Sequence, residues 1–168
     1  AMEGSLTGTS CFIAEFQLGG RGRSGRKWIS PYGDNLALSV TMVVDCSVAS
    51  LRGLSLAVGF GMVEALRAQK VEGIYLKWPN DVLLSGKKTA GILIEVDPVT
   101  AHRTKVVVGV GVNIGSFPHV DVIGQQATRI GLASTLSREA IALATIRAIE
   151  RSAKRFVLQG LSPIVESC

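Results

Sequence analysis

The stretch Gly20-Arg21-Gly22-Arg23-Ser24-Gly25-Arg26-Lys27-Trp28 sets four of the chain's 18 lysines and arginines beside three glycines. Cations side by side repel one another and glycine weakens regular structure, so core packing gives no reason for such a cluster. Closure over an anion does. Glycine lets backbone N–H groups approach a ligand, and arginine offers a forked donor that fits phosphate or carboxylate oxygens. Gly20, Gly22 and Gly25 also match the spacing G-x-G-x-x-G, but that fingerprint requires a helix to open at the loop. Ile29-Ser30-Pro31-Tyr32-Gly33-Asp34-Asn35 is turn-rich and leads into a strand-like run, so the dinucleotide reading fails. A single-strand nucleic-acid groove would interleave aromatics with the basic residues. Only Trp28 and Tyr32 lie nearby, which leaves an anion-closing loop as the better reading.

A second cluster, Lys77-Trp78-Pro79-Asn80-Asp81, places a cation, an amide and a carboxylate at a strand end. Shortly after it, Lys88-Thr89-Ala90-Gly91 opens a return strand. A third feature is the run Lys105 to Ile114. Side chains alternate faces along a strand, so Val106, Val108, Val110 and Val112 share one face while Gly109, Gly111 and Asn113 share the other. The valine face suits a core. The glycine face either leaves room for a molecule to lie flat on the sheet or admits a closely packed helix.

The elements that must hold these residues are legible from pattern. Cys11 to Phe16 reads as a strand feeding the basic loop, and Leu36 to Val44 as a second. Asp45-Cys46-Ser47 offers a helix N-cap, after which Leu51, Leu54, Val58, Met62, Ala65 and Leu66 recur at helical spacing. Gly59 and Gly61 within that helix each cost about 1 kcal/mol relative to alanine, which close packing against a sheet would explain. Ile74 to Trp78 is a strand ended by Pro79, and Val82 to Leu84, Ser85-Gly86 and Lys88 to Val96 form a hairpin. Arg129 to Ser137 is loop-like. Ile141, Ile146, Ile149, Ala153, Phe156 and Val157 then mark a second helix with Arg138, Arg147, Arg151, Lys154 and Arg155 on its solvated face. The pattern predicts one α+β domain, a mostly antiparallel mixed sheet with helices packed on one face.

Composition bounds the rest. With 168 residues, 47% hydrophobic and 18% charged, the chain has the size and mix of a single domain. The net charge of +5 is concentrated in the loop. No apolar run reaches the ~18 residues a membrane span needs, since Leu54 to Val63 stops at Glu64, and Ala1 to Ser5 lacks the character of a signal peptide. Cys11, Cys46 and Cys168 are odd in number and far apart, which argues against a disulfide framework or zinc site. Buried free thiols in a reducing cytoplasm are expected of Cys11 and Cys46. His102 and His119 read as surface residues, and no metal site is expected.

Taken together, Gly20 to Trp28, Lys77 to Asp81, Lys88 to Gly91 and Gly109 to Asn113 stand in the order and spacing of bacterial biotin protein ligases, also called biotin–[acetyl-CoA-carboxylase] ligases. The chain resembles the catalytic core of that family from about Cys11 to Asn113, and more weakly through the last helix. The resemblance implies the family's catalytic-domain fold over residues 1–168. It also implies a two-step reaction: biotin and ATP give biotinyl-adenylate and pyrophosphate, and a lysine of a biotin carboxyl carrier domain then takes the biotinyl group. By the same resemblance, Gln17, Gly20, Arg21, Gly22, Arg23, Lys88, Gly91, Gly109 and Gly111 fall at biotin. Arg26, Trp28, Asn80 and Asn113 fall on the ATP side, and Asp81 meets the incoming lysine. Mg²⁺ would come with ATP. A lipoate-type ligase, or a non-catalytic module that holds biotin or its adenylate, are the alternatives. The family's Ser-Thr-Asn segment, its C-terminal small β-barrel and the helix-turn-helix of some members are not found in the sequence, so nucleic acid is not an expected partner. An exposed edge strand would allow a homodimer.

The chemistry asks for such residues independently. Adenylation brings a carboxylate to a polyphosphate, so cations must screen the approach; Arg23, Arg26 and Lys88 can do so. One preorganised donor of this kind is worth roughly 3 kcal/mol. Transfer needs a neutral amine, and with a reference pKa near 10.4 only about one lysine in a few thousand is uncharged at pH 7. Asp81 can orient that amine and help accept its proton. Water must be kept from the acyl-adenylate, so residues 19 to 28 are expected to be disordered without ligand and ordered with it.

Overall fold

The structure is a computed structural model and describes residues 6–118 and 124–162. Six strands form one open sheet: β1 (Leu6–Ala14), β2 (Leu36–Val44), β3 (Ile74–Lys77), β4 (Asp81–Leu84), β5 (Lys87–Thr100) and β6 (Arg103–Val112). Their order across the sheet is β1-β2-β6-β5-β4-β3. Every ladder is antiparallel. The mixed character expected from sequence reduces to one isolated parallel bridge, between Lys88 and Ala127.

Two helices, α1 (Leu54–Ala68) and α2 (Arg138–Gln159), pack on one face of the sheet. That face carries Leu36, Leu38, Val40, Met42 and Val44 of β2 and Val106, Val108, Val110 and Val112 of β6, all buried. A one-residue slip of β6 would turn its four valines to the other face, at roughly 1.5–3 kcal/mol for each. The helices thereby fix the register that aims Gly109 and Gly111 away from them, so among the described residues no helix covers the glycine face.

Several details differ from the pattern reading. Strand β1 ends at Ala14, before Glu15 and Phe16. As an edge strand exposed along most of its length, it lacks the alternation that would mark its ends. Cys11 is accordingly exposed rather than buried, Cys46 is half-buried, and both are free thiols. Ser47 caps a short 3-10 turn, Val48–Leu51, instead of the helix. The helix starts only after Gly53, whose φ of 95° suits glycine. Turn and helix together, Val48–Ala68, are long and apolar enough to cross a membrane by length and composition, a span the sequence reading did not expect. In this fold Leu54, Val58, Met62 and Leu66 of that segment are buried in the core. Gly59 packs on the sheet, where a Cβ would come within 2.4 Å of Leu76. Gly61 instead admits α2, where a Cβ would meet Ser152 Oγ at 2.1 Å. Within the stretch expected to be loop, Ile130–Leu132 forms a 3-10 turn with Ile130 fully buried. His102 is exposed; His119 and Cys168 lie outside the described residues.

Candidate functional site

The face of the sheet opposite α1 and α2 is the floor of the site. Register aligns Gly91 with Gly111 and Ala37, Leu93 with Gly109 and Ser39, and Glu95 with Val107 and Thr41. These rungs put small side chains at the centre of the floor. Above them the basic loop folds into a miniature hairpin: Arg21 and Lys27 form an antiparallel bridge, Gly22 N donates to Arg26 O at 2.7 Å, and Trp28 N donates to Gly20 O at 2.8 Å. A three-residue 3-10 turn, Arg23–Gly25, tips the hairpin, with Ser24 in left-handed backbone at φ 56°. No helix opens there, as the failed dinucleotide reading required.

Between loop and floor lies a cleft of about 540 Å³. Of the residues singled out from sequence, Gln17, Arg21, Gly22, Arg23, Arg26, Trp28, Asn80, Asp81, Lys88, Gly91, Gly109, Gly111 and Asn113 all line it. Gly20 does not. It is buried at the hairpin's base, where a Cβ would lie 2.5 Å from Trp28 O, so its part is to let the loop close on itself.

Trp28 joins loop to floor. A Cβ at Gly111 would meet its Cε2 at 2.3 Å, and one at Gly91 its Cζ3 at 3.2 Å. The indole therefore lies on bare backbone that only glycine provides. Lys88 Nζ stands 5.7 Å from the indole centroid, within cation–π range. The same ammonium forms a 2.8 Å ion pair with Asp81 Oδ1, both side chains being largely shielded from water. Asp81 begins β4 and faces Gly91 across the ladder: the hairpin turn at Ser85-Gly86, with φ of 49° and 83°, pairs Leu83 with Lys88, and a one-residue register shift at Thr89 then brings Asp81 opposite Gly91. Asn80 is fixed beside it: its Nδ2 donates to Ile92 O at 2.8 Å, and its Oδ1 accepts from Arg23 Nη1 at 3.3 Å. Arg21 reaches across the cleft mouth to Glu95, at 2.9 Å.

The end of β6 is built with equal care. Asn113 is buried, and its Nδ2 donates to Thr128 O at 3.1 Å. Among the described residues, Asn113 Oδ1 and Trp28 Nε1 are buried cleft atoms without a hydrogen-bond partner. Buried polar atoms are ordinarily satisfied, so both mark positions that a ligand's donor and acceptor could fill.

Sequence reasoning missed several contributors. Asn35, buried, accepts with one Oδ1 from Ile114 N, Gly115 N and Ser116 N at 2.8, 3.3 and 3.4 Å. It thereby holds the turn that follows Asn113. Residues 126–128 run beside Lys88, through Lys88 N to Gln126 O and Thr128 N to Lys88 O, and bring Gln125 and Ala127 into the cleft wall. Glu95 and Ser39 also line the cleft. Period-two alternation from Gly91 would have placed Glu95 on the open face, but the partners of Asn35 could not be read from sequence.

Comparison with known proteins agrees with this arrangement. The sequence profile of the Biotin/lipoate A/B protein ligase family matches residues 3–113. The chain belongs to that family. It is 38% identical over 162 residues to the bifunctional ligase/repressor BirA of Salmonella typhimurium, covering 95% of this chain and 51% of that protein. To the biotin–[acetyl-CoA-carboxylase] ligase of Mycobacterium tuberculosis it is 40% identical over 143 residues, 82% of this chain and 52% of that one. The biotin protein ligase from Aquifex aeolicus, solved in complex with biotin and ATP, superposes with a TM-score of 0.69 at 28% identity, covering 89% of this chain and 62% of that one. The chain thus spans about half the length of the curated relatives it matches, and its antiparallel six-stranded sheet with two helices is the fold of biotin protein ligase catalytic domains.

Proposed function

We propose that this chain carries the catalytic core of a biotin protein ligase, which joins biotin to ATP and passes the biotinyl group to a lysine of a biotin carboxyl carrier domain. One observation carries the reading. A single cleft gathers the cationic loop, the Lys88–Asp81 pair, the Gly91, Gly109 and Gly111 floor, and Asn80 and Asn113. These are the groups that a carboxylate, a nucleotide and an incoming amine require together. A relative named as a biotin–[acetyl-CoA-carboxylase] ligase at 40% identity, another named as a bifunctional ligase/repressor at 38%, and a structural neighbour holding biotin and ATP support the same choice.

In the first step a carboxylate oxygen of biotin attacks the α-phosphorus of ATP, and the bond to pyrophosphate breaks. Two anions approach, and Lys88, Arg23 and Arg26 stabilise the charge gathered between them. Lys88 begins the step shared with Asp81, so it can turn toward the carboxylate without a new charge being buried. Gln17, Gly22 and the backbone at Gly91, Gly109 and Gly111 would hold biotin along the floor, with Trp28 as its wall. Asn113 Oδ1 and Trp28 Nε1, both without protein partners, suit the nucleotide side. Mg²⁺ would arrive on the phosphates. In the second step the carrier lysine's neutral amine attacks the biotinyl carbonyl, AMP leaves, and Asp81 takes up the amine's proton.

Pyrophosphate release from ATP-Mg²⁺, measured with biotin, with lipoate and with neither, tests the reading. Biotin-dependent release is expected. Release with lipoate alone would overturn the substrate, and release with neither acid would overturn the adenylation.

A further inference from the structure

Glu15 stands outside the cleft, immediately after β1, and does two things at once. Its backbone carbonyl accepts from Gly33 N at 2.9 Å, closing the base of the loop that spans residues 16–32. Its carboxylate takes both guanidinium arms of Arg138, Nη1 to Oε2 at 2.7 Å and Nη2 to Oε1 at 2.9 Å, across 123 residues of sequence. Arg138 is the first residue of α2, directly after the N-cap Ser137, so the bond fastens the loop's base to the start of that helix. A two-armed guanidinium–carboxylate bond fixes orientation as well as distance. We infer that Glu15 and Arg138 are positioning residues that tether the base of the cationic loop to α2 and so set how Gln17, Arg23 and Trp28 are presented to substrate.

The position of this link gives it that role. The loop's other cross-links, from Arg21 to Glu95, from Arg23 to Asn80 and from Trp28 to Gly91 and Gly111, lie in the cleft, so a ligand must share or displace them. The Glu15–Arg138 link is not in the cleft lining and survives while they rearrange. Its contribution is to reduce the loop conformations that binding must select among, which lowers the ordering cost of closure. Substrate affinity should therefore change while the chemical step at saturation does not.

The inference rests on the ligase reading, and its test separates the two. Glu15→Gln and Arg138→Gln keep shape and remove charge. In the 168-residue chain, amide hydrogen exchange at residues 20–28 without substrate should quicken about fivefold, the scale of a partly exposed ion pair, while amides of α1 stay as in the parent. In biotin-dependent pyrophosphate release, KM for biotin should rise by a similar factor with kcat within about twofold. The exchanged pair Glu15→Arg with Arg138→Glu should recover most of both effects. Loop exchange that does not respond to either single variant overturns the tether, whatever the activity shows. Parent protein that releases no pyrophosphate with biotin would overturn the ligase reading, while the exchange experiment still decides the tether.

Discussion

Gly111→Ala isolates the contact on which the cleft's geometry depends. A Cβ at this position would lie 2.3, 2.5 and 2.6 Å from Cε2, Cζ2 and Nε1 of Trp28. Carbon atoms in comfortable contact sit about 3.5–4.0 Å apart, so the indole must retreat by about 1.2 Å or more (3.5 less 2.3). The ring belongs to a loop and can withdraw, and β6 is held by ladders on both sides, so the methyl group should spend little of its cost on unfolding. We expect a stability loss at or below the low end of overpacking, about 1 kcal/mol. The cost to function should be larger, because displacing a substrate-positioning group by 1 Å can lower the rate about 10²-fold. Gly109→Ala supplies the comparison: there a Cβ would meet Leu93 O at 3.5 Å, an ordinary contact, and would leave Trp28 alone. In a Trp78→Phe background, which leaves Trp28 as the one tryptophan, Gly111→Ala should shift the emission of the indole and Gly109→Ala should not. Pyrophosphate release with biotin should fall in both, through the loop in one and through a filled floor in the other. Parent-like emission and parent-like KM in Gly111→Ala would refute the placement of Trp28 on β6 and the argument for why that strand carries glycine there.

Four further outcomes follow from the same coordinates. Asp81→Ala should spare pyrophosphate release and slow transfer to a carrier domain by 10²-fold or more, the scale of a lost proton acceptor; equal loss in both steps would remove Asp81 from the amine side. Arg23→Gly should still form adenylate but lose its hold on it, seen as biotinyl-adenylate accumulating free in solution; retention equal to the parent's would show that Arg23 has no part in holding it. Gly61→Ala should lower stability in denaturant unfolding by up to about 2 kcal/mol, overpacking of about 1–3 kcal/mol being offset by about 1 kcal/mol of helix propensity, because its Cβ would sit 2.1 Å from Ser152 Oγ, and Ser152→Gly should restore part of the loss; a Gly61→Ala stabilised by the full propensity gain would mean the helices do not pack this closely. Hydrogen bonds from Arg138 hold the Glu15 carboxyl below the usual carboxylate range, against opposing influences from desolvation and, after it, the charge of Glu139. A depressed carboxylate contributes stability above its unfolded pKa and loses it as pH falls through the folded one. Protection of the loop amides, exchange corrected for its intrinsic pH dependence, should therefore fall on acidification below about pH 4.5, and the fall should be absent in Glu15→Gln; an identical response of protection to pH in that variant would refute the assignment.

What could be read in the sequence was what period and residue type impose. Valine at every second position from Val106 to Val112 marked one face of β6 as core, because burying four valines outweighs any other arrangement of that strand; whether a helix or a ligand covers the glycines was open until α1 and α2 were seen on the valine side. The glycines and cations of residues 20–28 marked an anion-facing loop because no packing argument accounts for them. Where energy is spread over contacts distant in sequence, the pattern was silent. Strand β1 has no buried face to impose alternation, so its ends and the exposure of Cys11 were misjudged. Ser47 is a good cap, and only Gly53 with its left-handed backbone moves the helix start six residues on, from Val48 to Leu54.

Asn35 shows most clearly why the remainder was hidden. It is a polar residue in a turn-rich run, and from sequence it reads as turn chemistry. In the fold it is 2% exposed, and its single Oδ1 faces three consecutive backbone N–H groups of residues 114–116. Those donors follow Asn113, the residue after β6, so the loop's C-terminal root and the Asn113 end of the floor are one hydrogen-bonded unit. The root at Glu15 is fastened to α2 in the same manner. The cationic loop is therefore held over the cleft by two fixed ends, which is how a segment rich in glycine and like charge can still present Arg23 and Trp28 in a reproducible place.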